Sequence, residues 1–112
     1  MKQELFEYNS VSYIIEIGEN KYDNFDIIDN AIDTDIWFHV ESIPSSHVLL
    51  KTTEKMSSIP RQALKQCAYL CKINSKAKTM KKCVVSYTTM NNVKKTNIIG
   101  QVSTANLKTI CV

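Results

Sequence analysis

The feature that most constrains the fold is residues 35–50, DIWFHVESIPSSHVLL, which hold the only tryptophan and both histidines of the chain. DIWFHV alternates as a strand does, because successive side chains of a strand point to opposite faces of a sheet. One face carries apolar side chains and the other carries two rings: Ile36, Phe38 and Val40 against Trp37 and His39. ESIPSS is typical of a turn, and HVLLK predicts a second strand. We therefore predict a packed strand pair, with Trp37 in the core and His39 near His47.

One strong helix is predicted from about Ile59 to Ile73. Its apolar residues recur at helical spacing and form one stripe: Ala63, Leu64, Cys67, Ala68, Leu70 and Cys71. Ser57 or Ser58 is predicted to cap the start, Pro60 suits the first turn, and Asn74 is predicted to end the helix. A basic row with one aromatic lies on the other side: Arg61, Lys65, Tyr69, Lys72 and Lys76.

Further strands are predicted at LFEY, SYIIEIG, CVVSYT, IIGQV and NLKTICV. The acidic stretch NKYDNFDIIDNAI predicts a loop with a short helical turn, and TMNNVKKT predicts a loop. Five to seven strands with one main helix predict an α+β fold with a mostly antiparallel sheet. With 112 residues in all, residues 1–112 are expected to form one domain that buries its own core.

The four cysteines are predicted to be reduced, because the opening MKQELFEYNS lacks the apolar segment of a secretory signal. Cys67 and Cys71 share one helix face among small apolar residues, so we expect buried structural thiols. A zinc or redox role is the minor alternative, since the spacing does not fit usual zinc-ligand patterns. No nucleophile elbow, P-loop, dinucleotide glycine pattern or HExxH occurs. We therefore expect no enzyme activity, cofactor, metal or small-molecule substrate, and no membrane partner.

Charge is distributed unevenly along the chain. Residues 1–37 hold nine acids and two lysines, a net charge of −7, and residues 38–112 hold twelve lysines or arginines and two acids, a net charge of +10. Seven lysines cluster in the second part: Lys72, Lys76, Lys78, Lys81, Lys82, Lys94 and Lys95. We expect them to converge on one face that contacts phosphates, while the acids solvate another side. The alternative is that the two halves interleave and neutralise each other.

Five segments in order, DIWFHV, PSSHVLLK, NSKAK, VSYT and NVKK, resemble the NFACT-R domain, the RNA-binding domain of the NFACT family. The resemblance covers roughly Tyr13 to Val112, and DIWFHV followed by SHV is its most specific part. It is strongest to members in which this domain stands nearly alone. One difference is Ser45, where many members have glycine. We expect this chain to act without the coiled coil that usually follows the domain in those members.

The resemblance implies RNA binding in the context of the ribosome and tRNA, without catalysis. The predicted RNA-binding residues lie on the helix, two loops and the histidine turn: Arg61, Lys65, Tyr69, Lys72, Lys76, Lys78, Lys81, Lys82, Lys94, Lys95, Ser46 and His47. We expect a cytoplasmic monomer that binds the ribosome or tRNA, at or near a tRNA site or the small-subunit head. There it would modulate or silence translation, as dormancy or quality-control factors do. The alternative is a protein-interaction adaptor that uses the sheet and the acidic N-terminal face.

Overall fold

A six-stranded antiparallel sheet is the framework of the computed structural model, which describes residues 1–112. The strands are β1 (Lys2–Tyr8), β2 (Val11–Ile17), β3 (Ile36–Val40), β4 (Val48–Lys51), β5 (Val84–Thr89), β6 (Val93–Lys95), β7 (Val102–Thr104) and β8 (Lys108–Cys111). The helices are α1 (Lys21–Asp29) and α2 (Arg61–Ile73). The α+β class predicted from the sequence is confirmed, although the chain has eight strands and a second α-helix.

The strands of the large sheet follow the order β1-β2-β4-β3-β5-β8, and β6 and β7 form a separate hairpin. β3 and β4 are antiparallel neighbours, with Trp37 opposite Leu49, which confirms the predicted strand pair. In the turn between them, Ser45 does not adopt a positive φ. The backbone at this position therefore does not require the glycine found in many family members.

The main core lies between α2 and one face of the sheet. The apolar stripe predicted for the helix is buried as a whole: Ala63, Leu64, Cys67, Ala68, Leu70 and Cys71. These side chains belong to the same cluster as Ile15, Phe38 and Leu50 of the sheet, which have no exposed surface. Burial of this apolar area is the principal force that holds α2 on the sheet.

The C-terminal end of α2 agrees with the prediction, and the N-terminal end does not. The helix ends at Asn74 as expected, but its N-cap position is Pro60. The predicted serine cap is wrong, because Ser57 and Ser58 belong to a preceding 3-10 turn and provide no capping hydrogen bond. Pro60 has no N–H to satisfy, and its fixed φ leads the chain into the first helical turn.

A smaller core covers the opposite face of the sheet. Its five buried residues come from α1, β3, β4, a 3-10 turn and β6: Ile27, Trp37, Leu49, Met90 and Val93. Trp37 is only 4% exposed, which confirms its predicted place in the core. The sheet therefore has α2 on one face and both α1 and the β6–β7 hairpin on the other.

Three segments on this second face depart from the prediction. The stretch expected to be a loop with a short turn forms the nine-residue helix α1. Asn20 caps it by accepting hydrogen bonds from the amides of Tyr22 and Asp23 at 3.0 and 2.9 Å. The expected loop TMNNVKKT contains a 3-10 turn and strand β6, and the strand predicted at IIGQV begins only at Val102.

All four cysteines are free thiols. Cys67 and Cys71 are buried, as expected of structural thiols; Cys83 is also buried, whereas Cys111 is exposed. Burial raises the pKa of Cys67 and of Cys71, so both thiols stay protonated and unreactive near neutral pH. No three metal-ligating side chains lie together, and neither helix has the length and apolarity of a membrane span.

Candidate nucleic-acid interface

A row of cations follows the outer side of α2 and continues into the loop after it. We call this region the basic surface, which consists of Arg61, Lys65, Tyr69, Lys72, Lys76, Lys78, Lys81 and Lys82. All eight side chains are exposed except Lys72, which is half-buried. The Lys72 ammonium donates to the carbonyl oxygen of Lys81 at 3.1 Å. This contact fixes the end of the helix beside the loop, so residues distant in sequence share one surface.

No cation of the basic surface forms an ion pair with an aspartate or a glutamate, although the Lys72 ammonium also donates to an oxygen of Val112 at 3.3 Å. The ion pairs of the chain involve only the N-terminal ammonium, Lys51 and Lys95. Unpaired surface cations retain their full field and are available to a polyanion. The alternative that the acidic and basic halves neutralise each other therefore does not apply here.

Lys94 and Lys95 do not lie with the other predicted lysines. They belong to β6, whose Val93 packs on the sheet face opposite α2. Lys95 forms an ion pair with Asp29 at 2.5 Å and lies over the ring of Phe25, 5.1 Å from its centroid. The expected single patch of seven lysines is therefore wrong for these two, because the hairpin folds onto the second face.

The turn between β3 and β4 is held against the start of the basic loop. The amide and the hydroxyl of Ser46 each donate to the carbonyl of Asn74 at 3.4 Å. The Lys76 amide donates to the carbonyl of Pro44 at 3.5 Å, a long contact. An open cleft of about 340 Å³ is lined by these residues. The structure thus places Ser46 at the margin of the basic surface.

His47 occupies a different position from Ser46, although the two are adjacent in sequence. It is only 3% exposed, and its amide donates to the side-chain oxygen of Asn24 at 3.2 Å. Gly18 permits this arrangement, because a Cβ there would lie 2.1 Å from the same oxygen. His47 is therefore fixed on the second face rather than on the basic surface.

The histidine groove, as we call it, is a cleft of about 280 Å³ on the second face. Two rings of β3, the ring just before β4 and part of the β6–β7 hairpin line it: Trp37, His39, His47, Gly100, Gln101, Val102 and Thr104. The rings of Trp37 and His39 are nearly parallel, at 7°, with centroids 5.8 Å apart. The centroids of His39 and His47 lie 5.2 Å apart, edge to face, which confirms their predicted proximity.

Burial determines the protonation of the two histidines. It lowers the pKa of His47 from 6.5 to about 3, with a smaller effect from the neighbouring His39. Burial also lowers the pKa of His39, opposed by the hydrogen bond of its ring to the Val40 carbonyl. Both rings are therefore neutral at physiological pH.

Because His47 is buried as a neutral ring, we expect the fold to lose stability on acidification at pH values well above those at which carboxylates titrate. The unfolded chain binds a proton at His47 near pH 6.5, and the folded chain only near pH 3. The stability is thus fully present above pH 6.5 and falls as the pH drops towards 3. Between pH 7 and pH 5 we expect a loss of about 2 kcal/mol from His47, with His39 acting in the same direction.

Urea unfolding at several pH values between 7 and 5 measures this dependence. The matched variant is His47→Asn, whose side-chain oxygen can still accept the Trp37 indole N–H but does not titrate. It should flatten the pH dependence, whatever its effect on stability at pH 7. Equal unfolding free energies of the unmodified protein at pH 7 and pH 5 would contradict the assignment of His47 as a buried neutral ring.

The acids of the first third do not all lie on one solvated side, contrary to expectation. Asp35 is fully buried and Glu16 is 9% exposed. Lys51 contacts both, with its ammonium 3.2 Å from a carboxylate oxygen of Asp35 and 3.9 Å from one of Glu16. These two acids are therefore part of the folded framework rather than a surface that repels or docks a partner.

Comparisons with known proteins extend over most of the chain. A family model described as the NFACT protein RNA binding domain matches residues 2–105. Coiled-coil domain-containing protein 25 of Mus musculus is 43% identical over 91 residues, which cover 79% of this chain and 44% of that protein. The Rqc2 homolog RqcH of Bacillus subtilis is 34% identical over 92 residues, 80% of this chain and 15% of that protein. The chain thus spans less than half the length of these relatives.

A solved structure shares the fold. It is that of the C-terminal part of the fibronectin/fibrinogen-binding protein from Streptococcus suis, with a TM-score of 0.85 and 25% sequence identity. The similarity covers 100% of this chain and 46% of the other. The region of structural similarity therefore includes the sheet, α2 on one of its faces, and α1 and the β6–β7 hairpin on the other.

Proposed function

The chain belongs to the NFACT protein RNA binding domain family, and on this basis we propose that it is a non-enzymatic RNA-binding protein that associates with the ribosome. The observation that supports the proposal is the basic surface, whose seven cations belong to α2 and the loop after it and form no ion pair with an aspartate or a glutamate. Backbone phosphates require neither a fixed base pattern nor a preformed pocket, so lysines on a helix and a loop suffice to bind them.

The ribosome is the favoured partner because NFACT proteins, which this sequence resembles, act in ribosome-associated quality control. The match to the Rqc2 homolog RqcH is consistent with that context. We place the contact at or near a tRNA site or the small-subunit head, where occupancy alone would modulate or silence translation. A monomer that works in the cytoplasm is part of this proposal.

Sedimentation with purified ribosomes tests the proposed association. In low salt the protein should move with the ribosomal fractions, and it should return to the top of the gradient as salt is raised. This response is expected because each phosphate contact releases counterions, which makes affinity fall steeply with salt concentration. If the protein stays at the top of the gradient even in low salt, the ribosome proposal is wrong.

A protein-interaction adaptor is the second candidate function. It is favoured by apolar side chains on the β1–β2 hairpin, where Leu5, Val11 and Ile14 are 74%, 44% and 45% exposed. An apolar contact would survive a rise in salt that abolishes phosphate contacts. Association with ribosomes that persists in high salt would therefore support the adaptor over RNA binding.

A further inference from the structure

The histidine groove presents two ring nitrogens whose hydrogen-bonding roles follow from their neighbours. The indole N–H of Trp37 donates to Nδ1 of His47 at 3.2 Å, so the proton of the neutral His47 ring is assigned to Nε2. Nδ1 of His39 lies 2.6 Å from the carbonyl of Val40, so Nδ1 carries the proton and Nε2 is an acceptor. The groove therefore holds one donor and one acceptor without a partner in the chain.

The shape and charge of the groove select the kind of ligand. No lysine, arginine or carboxylate lines it, so neither a phosphate nor a cation finds a counter-charge there. Its volume of about 280 Å³ is just below the range of roughly 300–1,000 Å³ for small-molecule sites, so the groove has room for one small ring system. The parallel rings of Trp37 and His39 offer a flat surface on which another ring can stack.

A nucleobase combines the features that this site matches. It is flat, it is uncharged, and its edge places donors and acceptors side by side. We propose that the histidine groove binds one unstacked base of the RNA, which stacks against the face of His39 and accepts a hydrogen bond from Nε2–H of His47, whose ring is nearly perpendicular to that of His39. The amide of Gln101, exposed at the rim, would contact the same base. The inference rests on the proposed RNA-binding function and adds to it a single base that the protein reads.

The single tryptophan of the chain makes the groove directly observable. Adenosine 5′-monophosphate and ribose 5-phosphate are titrated separately while the fluorescence of Trp37 is recorded. The two ligands carry the same phosphate and sugar but differ in the base. We expect a saturable change in emission with the nucleotide and none with the sugar phosphate.

Two variants of groove residues and one control variant test whether the change in Trp37 emission comes from binding in the histidine groove. Base stacking is worth about a 5- to 150-fold change in affinity, so His39→Ala should weaken nucleotide binding within that range. Gln101→Leu places an apolar side chain at the rim and should also weaken binding. Its side chain is exposed and forms no hydrogen bond, so the change should leave the fold intact. Gln62→Leu makes the same change on exposed α2 and should have no effect on nucleotide binding.

Binding experiments with RNA distinguish the proposed base site from the proposed RNA-binding function. A short single-stranded oligoribonucleotide is compared with one of equal length that lacks its bases. The version with bases should bind more tightly and alter Trp37 emission. If both bind equally and neither alters the emission, the groove proposal is overturned while RNA binding stands. If neither binds but the nucleotide still gives the groove-dependent signal, the base site stands and the proposed function fails.

Discussion

Replacing Lys78, Lys81 and Lys82 by glutamate is expected to lower RNA affinity by about 100-fold at 0.1 M salt, through the loss of three phosphate contacts. For single-stranded RNA each contact contributes roughly 0.7 to the slope of log affinity against log salt. The slope should therefore become shallower by about 2 units in the variant. The three side chains are exposed and none forms an ion pair, so the fold should tolerate the change.

A matched control separates the position of the charges from their number. Replacing Lys2, Lys55 and Lys108 by glutamate changes the net charge of the protein from +3 to −3, as the first variant does. These lysines are also exposed but belong to β1, the loop before α2 and the start of β8. Fluorescence anisotropy with labelled RNA over a series of salt concentrations gives both affinity and slope.

The comparison of the two variants decides between a local surface and a general charge effect. We expect the control to retain most of the affinity, since only long-range attraction is reduced and salt screens it beyond about 10 Å. Equal losses in both variants would mean that net charge rather than the basic surface governs binding. An unchanged affinity in the first variant would exclude its three lysines from the interface.

The strand pair and α2 could be predicted because their apolar patterns agree with their final surroundings. Trp37 and Phe38 alternate between two faces that are both covered, and the α2 stripe meets a single core. Helix α1 has no such pattern, since only Asn24 and Ile27 of its nine residues are buried. Packing of Ile27 against Trp37 and the cap from Asn20 stabilise it, and the first of these depends on the tertiary fold.

The part of the candidate site formed by residues close together in the sequence could be predicted. The basic surface follows from helical spacing and the adjacent loop, whereas the position of Lys95 depends on where the β6–β7 hairpin folds. The same hairpin supplies Gln101 and Thr104 to the histidine groove, and no spacing rule connects them to His39. Such contacts arise from topology, which the sequence pattern of a single hairpin does not determine.

Asp35→Ala is expected to lower the free energy of unfolding by about 3–5 kcal/mol, because it leaves two amides without an acceptor and removes the nearer carboxylate from a partly buried cation. The Asp35 side chain has almost no exposed surface, and its oxygens accept the amides of Thr52 at 2.9 Å and Ile32 at 3.0 Å. One oxygen also lies 3.2 Å from the Lys51 ammonium. A single carboxylate thus joins the loop before β3 to the end of β4. The expected loss is a large part of the roughly 5–15 kcal/mol that stabilises a typical domain.

Urea unfolding of two further variants tests whether the buried network causes this loss. Asp33→Ala makes the same change two residues earlier, at an exposed position without side-chain hydrogen bonds, and should cost at most about 0.5 kcal/mol. Lys51→Met removes the cation but keeps both amide contacts, so the double variant with Asp35→Ala should lose less than the sum of the single losses. Additive losses would show that Lys51 and Asp35 act independently. A loss for Asp35→Ala no larger than for Asp33→Ala would mean that the carboxylate does not hold the two segments together.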